Sequence, residues 1–186
     1  LISRSLVLTA AHCIVTLPDL NEASFGNVID MTAVLRNRLY VLVGAHDFTR
    51  TDTSRQLHLV QYAVLYPKQN YSTVGVGYDI ALLKLFENIN PDAYIWPICF
   101  PDGSVKLPLG ATCYYAGWGG TYTEWSDGEE VYPNTLKEAE VLMDSDERCI
   151  KAYGSQFANS NSCIRTEGTV SNGDVQSLTK VKDVYL

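Results

Sequence analysis

The sequence predicts an all-β protein built from antiparallel strands, a sandwich or a barrel. Three observations carry that prediction. Short apolar runs rich in Val, Leu, Ile and Tyr recur, clusters of Gly, Pro, Asn and Asp separate them, and few windows show the 3.6-residue stripe of a helix. Many short strands with turn signals between them favour a sheet folded onto itself. With 186 residues, 46% hydrophobic and 19% charged, the chain has a globular composition, enough for one large β unit or two small barrels sharing a core.

In chain order the predicted strands are LVLTA, LYVLVGA, LHLVQYAVLYP, DIALLKL, ATCYYAGWG and LKEAEVLM, each of strand length and bounded by turn residues. Two helical pieces are predicted among them. One is the turn that follows His12. The other is DSDERCIKAY, where Asp144 is placed as N-cap and Glu147 three residues on completes a capping box. The stretch from Leu17 to Arg38 has no clean periodicity and reads as a surface insertion. Pro91 to Pro108 carries four prolines and reads as a connector over the outside of the fold. After Cys163 the chain turns polar, with only weak strand signals.

Composition excludes several functions. The net charge of −7 comes without a basic stripe, which argues against a nucleic-acid partner. No apolar run approaches the roughly 18 residues of a membrane span, so no membrane partner is expected. There is no signal-peptide pattern, and the chain opens on Leu1-Ile2 within a strand, so it reads as an incomplete chain. Five cysteines, Cys13, Cys99, Cys113, Cys149 and Cys163, make an odd count without zinc-site spacing, so no metal site is expected. Asn70-Tyr71-Ser72 is a candidate N-glycosylation site and fits an exported chain in an oxidising compartment.

The chemistry centres on TAAHC, residues 9 to 13, and on Asp79 in GYDIALLKL. An imidazole takes a proton from a hydroxyl efficiently only when its other nitrogen is held in the right tautomer. A buried carboxylate does that, and stabilises the imidazolium that forms. Asp79 precedes an alternating run (Ile80, Leu82 and Leu85 with Ala81 and Leu83) that anchors it in a core, where a charge is costly unless paired. On composition alone, a single His at a strand end is a packed or surface residue, and an Asp before an apolar run is a turn residue. The words around them overturn that reading. SLVLTAAHC, LVGAHD, Tyr66-Pro67, YDIALLKL, WPICFP, TCYYAGWG and LKEAEVLMDSDERC follow in an order that resembles the trypsin/chymotrypsin-like serine endopeptidases, from Leu1 to Cys163.

That resemblance implies two packed antiparallel six-stranded barrels, the first lacking its start and the second truncated, with an active site in the cleft between them. It divides the chain into a first barrel (1–90), a connector (91–108), a partial second barrel (109–163) and a divergent tail (164–186). His12 becomes general base and Asp79 its orienting acid. Ala10 and Ala11 keep bulk away from the imidazole, where a misplacement of about 1 Å costs about 100-fold in rate. The family's nucleophilic serine lies in a GDSGGP turn whose backbone N–H groups form the oxyanion hole, and no such motif occurs here. The nearest echo, Gly173-Asp174-Val175-Gln176-Ser177, places a valine, which has no hydroxyl, at the nucleophile position. Ser177 as a shifted nucleophile is the weaker reading beside an accidental echo.

By the same resemblance Cys149 pairs with Cys163. Cys13 pairs with a cysteine before Leu1, Cys99 with an upstream pro-segment and Cys113 with a cysteine beyond the present end, so these three are unpaired by truncation. Some family members bind calcium through a glutamate where this chain has Ala45, so no calcium and no cofactor are expected. Gly117-Trp118-Gly119 reads as packing, His46 and His58 as surface or sheet positions, and the acidic group Glu124, Asp127, Glu129 and Glu130 as a solvated loop. Three readings stand at this point. The first is a secreted trypsin-like endopeptidase whose parent acts on proteins or peptides and meets protease inhibitors, with this chain inactive as given. The second is a non-catalytic binding or decoy relative, and the third a truncated splice or gene-model product.

Overall fold

The computed structural model describes residues 1–20, 25–51, 53–67, 78–122, 130–155, 162–166 and 175–177. The chain forms two compact units: Leu1–Ala45 with Thr51–Ser104, and His46–Arg50 with Val105–Tyr185.

The first unit holds strands β1 (Leu6–Thr9), β2 (Val28–Asp30), β3 (Tyr40–Val43), β4 (Gln56–Leu65) and β5 (Ala81–Leu85), with short helices α1 (His12–Val15) and α2 (Met31–Val34). They form one antiparallel sheet in the order β1-β5-β4-β2, with β3 also paired to β4. The long β4 serves several neighbours by bending. Its register shifts between Val60 and Tyr62, and an irregularity there re-aims a strand. Alternation places Ala81, Leu83 and Leu85 inward, where they meet Val7, Val60, Ala63 and Leu65 in a buried core. Burying each of the larger side chains stabilises the unit by about 1.5–3 kcal/mol.

Two sequence expectations change here. The stretch from Leu17 to Arg38 is more than a surface insertion: β2 pairs with β4, and Leu20 and Met31 are buried in the core. Its helix α2 is capped by Asp30, whose Oδ1 accepts from the N–H groups of Thr32 and Ala33. The signal was weak because β2 has three residues, too few for a period, and its pairing is long-range. In DIALLKL the inward set is Ala81, Leu83 and Leu85, while Ile80 and Leu82 are exposed.

Gly44 ends β3 with φ near +72°, a conformation L side chains rarely adopt, and a Cβ there would meet the Ser54 carbonyl oxygen. Tyr94, Trp96, Ile98 and Phe100 are exposed at alternate positions, while Ile95 between them is buried.

The second unit contains β6 (Thr112–Gly117), β7 (Thr121–Tyr122), β8 (Glu130–Val131), β9 (Lys137–Met143), α3 (Asp146–Tyr153), β10 (Cys163–Thr166) and β11 (Val175–Ser177). A four-stranded antiparallel sheet runs β11-β10-β9-β6, and β7 pairs with β8. Among the described residues neither this sheet nor that of the first unit closes on itself. Among the described residues the buried set is Val141, Leu142 and Ile164 with Cys149 and Cys163, which are joined by a disulfide across a sequence separation of 14. Trp118 packs its ring on Phe48 at 4.8 Å and donates from Nε1 to the His46 carbonyl, which ties residues 46–50 into this unit. His58 lies in β4, its Nε2 3.1 Å from Gln56 Oε1.

The capping expectation for α3 is corrected. Ser145, not Asp144, is the N-cap, and no side chain caps the helix. Asp144 instead accepts from the Ser145 N–H and from Arg148 Nη1, and lies 3.8 Å from Arg165 Nε on β10. Two guanidinium groups compete successfully for a carboxylate that the local pattern assigns to the helix end. Asn70 and residues 124–129 lie outside the described residues.

Candidate functional site

The site is set by the register of β1 on β5. Thr9 stands opposite Ala81, so the chain leaving β1 and the chain entering β5 meet at one end of the pair. His12 opens α1 just after β1, and Asp79 lies just before β5. Ala11 is fully buried beneath them, consistent with the need for small residues there.

Asp79 grips His12 twice. Its Oδ1 accepts the His12 backbone N–H at 2.8 Å, and its Oδ2 lies 2.5 Å from Nδ1 of the ring. The backbone contact satisfies an N–H that the first turn of α1 leaves without an intrahelical partner. The ring contact makes Nδ1 the hydrogen-bearing nitrogen and leaves the Nε2 lone pair free to take a proton. The side chain of Asp79 is 1% exposed and that of His12 36%, so the acid is shielded while the base faces outward in part. A buried carboxylate is tolerated here because both oxygens are engaged.

Backbone geometry aims the acid. Tyr78 has φ +54°, the one non-glycine residue with positive φ among those described, and the Ile80 N–H bonds back to the Tyr78 carbonyl at 2.8 Å. Asp79 is thereby the centre of a three-residue turn at a strand end. The ring of Tyr78 stacks on that of Tyr66, with centroids 5.5 Å apart and planes within 2°. Sequence reasoning passed over both tyrosines as position setters, and no local pattern distinguishes them.

The group within hydrogen-bond distance of Nε2 among the described residues is the Cys13 thiol, with Sγ at 3.5 Å. Cys13, Cys99 and Cys113 are free thiols, Cys99 exposed and the others half-buried. Burial, followed by the charge of Asp79, pushes the Cys13 thiol above its ordinary range. The other two predicted cysteines, Cys149 and Cys163, lie in the second unit as its disulfide. Val175 to Ser177 form a strand, with Ser177 in register with Cys163. Among the described residues no group of three or more His, Cys, Asp or Glu could hold a metal ion, and no helix is long and apolar enough to cross a membrane.

Comparison with known proteins gives a consistent picture. The sequence profile of the trypsin family matches residues 1–175. Chymotrypsin-like elastase family member 1 of Macaca fascicularis is 28% identical over 168 residues, covering 90% of this chain and 55% of that protein. Granzyme B of Rattus norvegicus is 29% identical over 163 residues, 87% of this chain and 54% of that protein. The chain thus spans about half the length of these curated relatives. Among solved structures, neuropsin, a serine protease of mouse brain, superposes with a TM-score of 0.69 at 23% identity, over 92% of this chain and 65% of that one. That likeness supports the two-unit β architecture read from the sequence.

Proposed function

Because the chain belongs to the trypsin family, we propose that it carries the histidine–aspartate half of a serine endopeptidase's proton relay, His12 as general base and then acid, Asp79 as the group that orients it. The observation that supports this most is the double grip of Asp79 on His12, through the backbone N–H and through Nδ1. Held so, the ring takes a proton at Nε2 from an attacking hydroxyl and returns it to the leaving amine, while the carboxylate stabilises the imidazolium between the two steps.

The parent protein cleaves peptide bonds in proteins or peptides, and protease inhibitors are its further partners. The 186 residues alone contain no GDSGGP turn and do not hydrolyse peptides. The first barrel is assigned to residues 1–90, the connector to 91–108 and the partial second barrel to 109–163. An extracellular location is part of the same proposal, supported by the Cys149–Cys163 disulfide, a bond that persists in oxidising compartments.

Sequencing the transcript on both sides of the coding stretch tests the reading. An in-frame GDSGGP downstream is the expected result, and His12→Ala in that full-length protein then lowers peptide hydrolysis by about 10⁴ or more. A complete second barrel lacking the serine, or a stop codon after Leu186, contradicts it.

A further inference from the structure

Asp79 orients His12 only while the backbone before it stays in place, and that backbone is held from outside the dyad. Tyr66 directly follows β4, and its N–H donates to the Ile80 carbonyl at 3.0 Å, beside the Leu65–Ala81 pair of the β4–β5 ladder. The base of its side chain is therefore fixed to the sheet. The Tyr78 ring lies flat against the Tyr66 ring, with 5.5 Å between centroids and 2° between planes, on a residue whose φ is +54°. A bulky side chain in that conformation returns to the ordinary region unless its surroundings hold it. We propose that Tyr66 is a positioning residue for the base: through the Tyr78 ring it keeps the turn at Asp79 closed, and so decides which nitrogen of His12 carries the hydrogen. The inference rests on the reading of His12 as general base and extends it to a residue outside the relay.

The consequence falls on the imidazole. Asp79 Oδ1 takes the His12 backbone N–H and Oδ2 faces Nδ1, so one carboxylate position secures two hydrogens. If Tyr78 returns to negative φ, the peptide between it and Asp79 rotates. The hydrogen bond from the Ile80 N–H to the Tyr78 carbonyl then breaks, and the carboxylate swings off both hydrogens. A histidine released from an acceptor at Nδ1 favours hydrogen at Nε2, the nitrogen that must be bare to take a proton from a hydroxyl. An opened turn thus leaves the sheet standing and disables the base. An aromatic pair contributes enough beyond its buried area to change the population of the open turn by about two- to tenfold. The hold is ring against ring, so Tyr66→Phe keeps it.

Solvent exchange of the two hydrogens that Asp79 secures, the His12 backbone N–H and Nδ1–H, is followed by NMR in the 186-residue chain. The Val60 N–H, bonded to the Leu39 carbonyl at 2.9 Å in the same unit, is the reference for opening of the whole fold. Tyr66→Leu is expected to speed both His12 exchanges by about two- to tenfold relative to Val60, and Tyr66→Phe to leave them unchanged. Tyr78→Leu breaks the same stack from the other side and serves where Tyr66→Leu does not fold. Glycine adopts positive φ freely, so in a Tyr78→Gly background Tyr66→Leu is expected to add nothing. Equal acceleration at His12 and Val60 makes Tyr66 a general stabiliser and overturns the proposal. So does an absence of acceleration at His12, a Tyr66→Phe chain that behaves like Tyr66→Leu, or an undiminished Tyr66→Leu effect in the Tyr78→Gly background. These rates do not depend on whether the parent protein holds a serine nucleophile, so the endopeptidase reading and this one fail separately.

Discussion

Asp79 is the residue on which the site turns, and its position depends on a neighbour in an unfavourable backbone conformation. A left-handed tyrosine costs roughly 1–2 kcal/mol, which the stacking of Tyr78 on Tyr66 offsets in part. Tyr66→Leu and Tyr78→Leu are therefore expected to destabilise the chain less together than the sum of their separate effects. A double-mutant cycle by urea denaturation should give a coupling of about 0.5–1.5 kcal/mol. Strict additivity would mean that the stack does not support the turn. The contact between His12 and Asp79 was legible in the sequence through the words around them, TAAHC and DIALLKL. The thiol contact at Nε2 was not, because adjacency in sequence does not say where two neighbouring side chains point from the first turn of a helix. Thr9, buried at 8% exposure with no hydrogen-bond partner for its Oγ1 among the described residues, was equally invisible.

At the scale of elements, alternating apolar runs gave β1, β3, β4, β5 and β9 nearly where the pattern put them, since period-2 burial is a local property. What escaped was decided at long range. Strand β2 exists because β4 offers it an edge, and α3 starts one residue later than its capping pattern because Asp144 serves Arg148 and Arg165 instead. That cluster carries a pH signature. Burial works to raise the Asp144 carboxyl, yet the Ser145 N–H and the two guanidinium groups outweigh it and hold the carboxyl below its ordinary range. A depressed carboxylate stabilises the fold fully above the unfolded value near pH 4, and that stability is lost as pH falls through the folded value. Thermal unfolding scanned from pH 6 to pH 2 should show a loss below about pH 4, and Asp144→Asn should flatten it. An unchanged acid slope in that variant would remove Asp144 from the account. The disulfide acts on the same elements by joining α3 to β10, and closing so short a loop contributes about 3 kcal/mol in the chain-entropy picture.

The molecule as a whole is uneven. Among the described residues, one unit has a contiguous core, and the other buries Val141, Leu142 and Ile164 together with the Cys149–Cys163 disulfide. The connector exposes Trp96 at 76%, along with Tyr94, Ile98 and Phe100. The β architecture was legible because the resemblance orders whole strands, whereas the sheet edges left open among the described residues are a feature that no local pattern records. The central proposal is that His12 and Asp79 act as a base and its orienting acid, with no serine hydroxyl beside Nε2 among the described residues. A fluorophosphonate probe forms its adduct on an activated serine. Incubated with the folded 186-residue chain, it should leave the mass of the protein unchanged, with no difference between the unmutated chain and His12→Ala. A stoichiometric adduct on a serine, lost on His12→Ala, would contradict it.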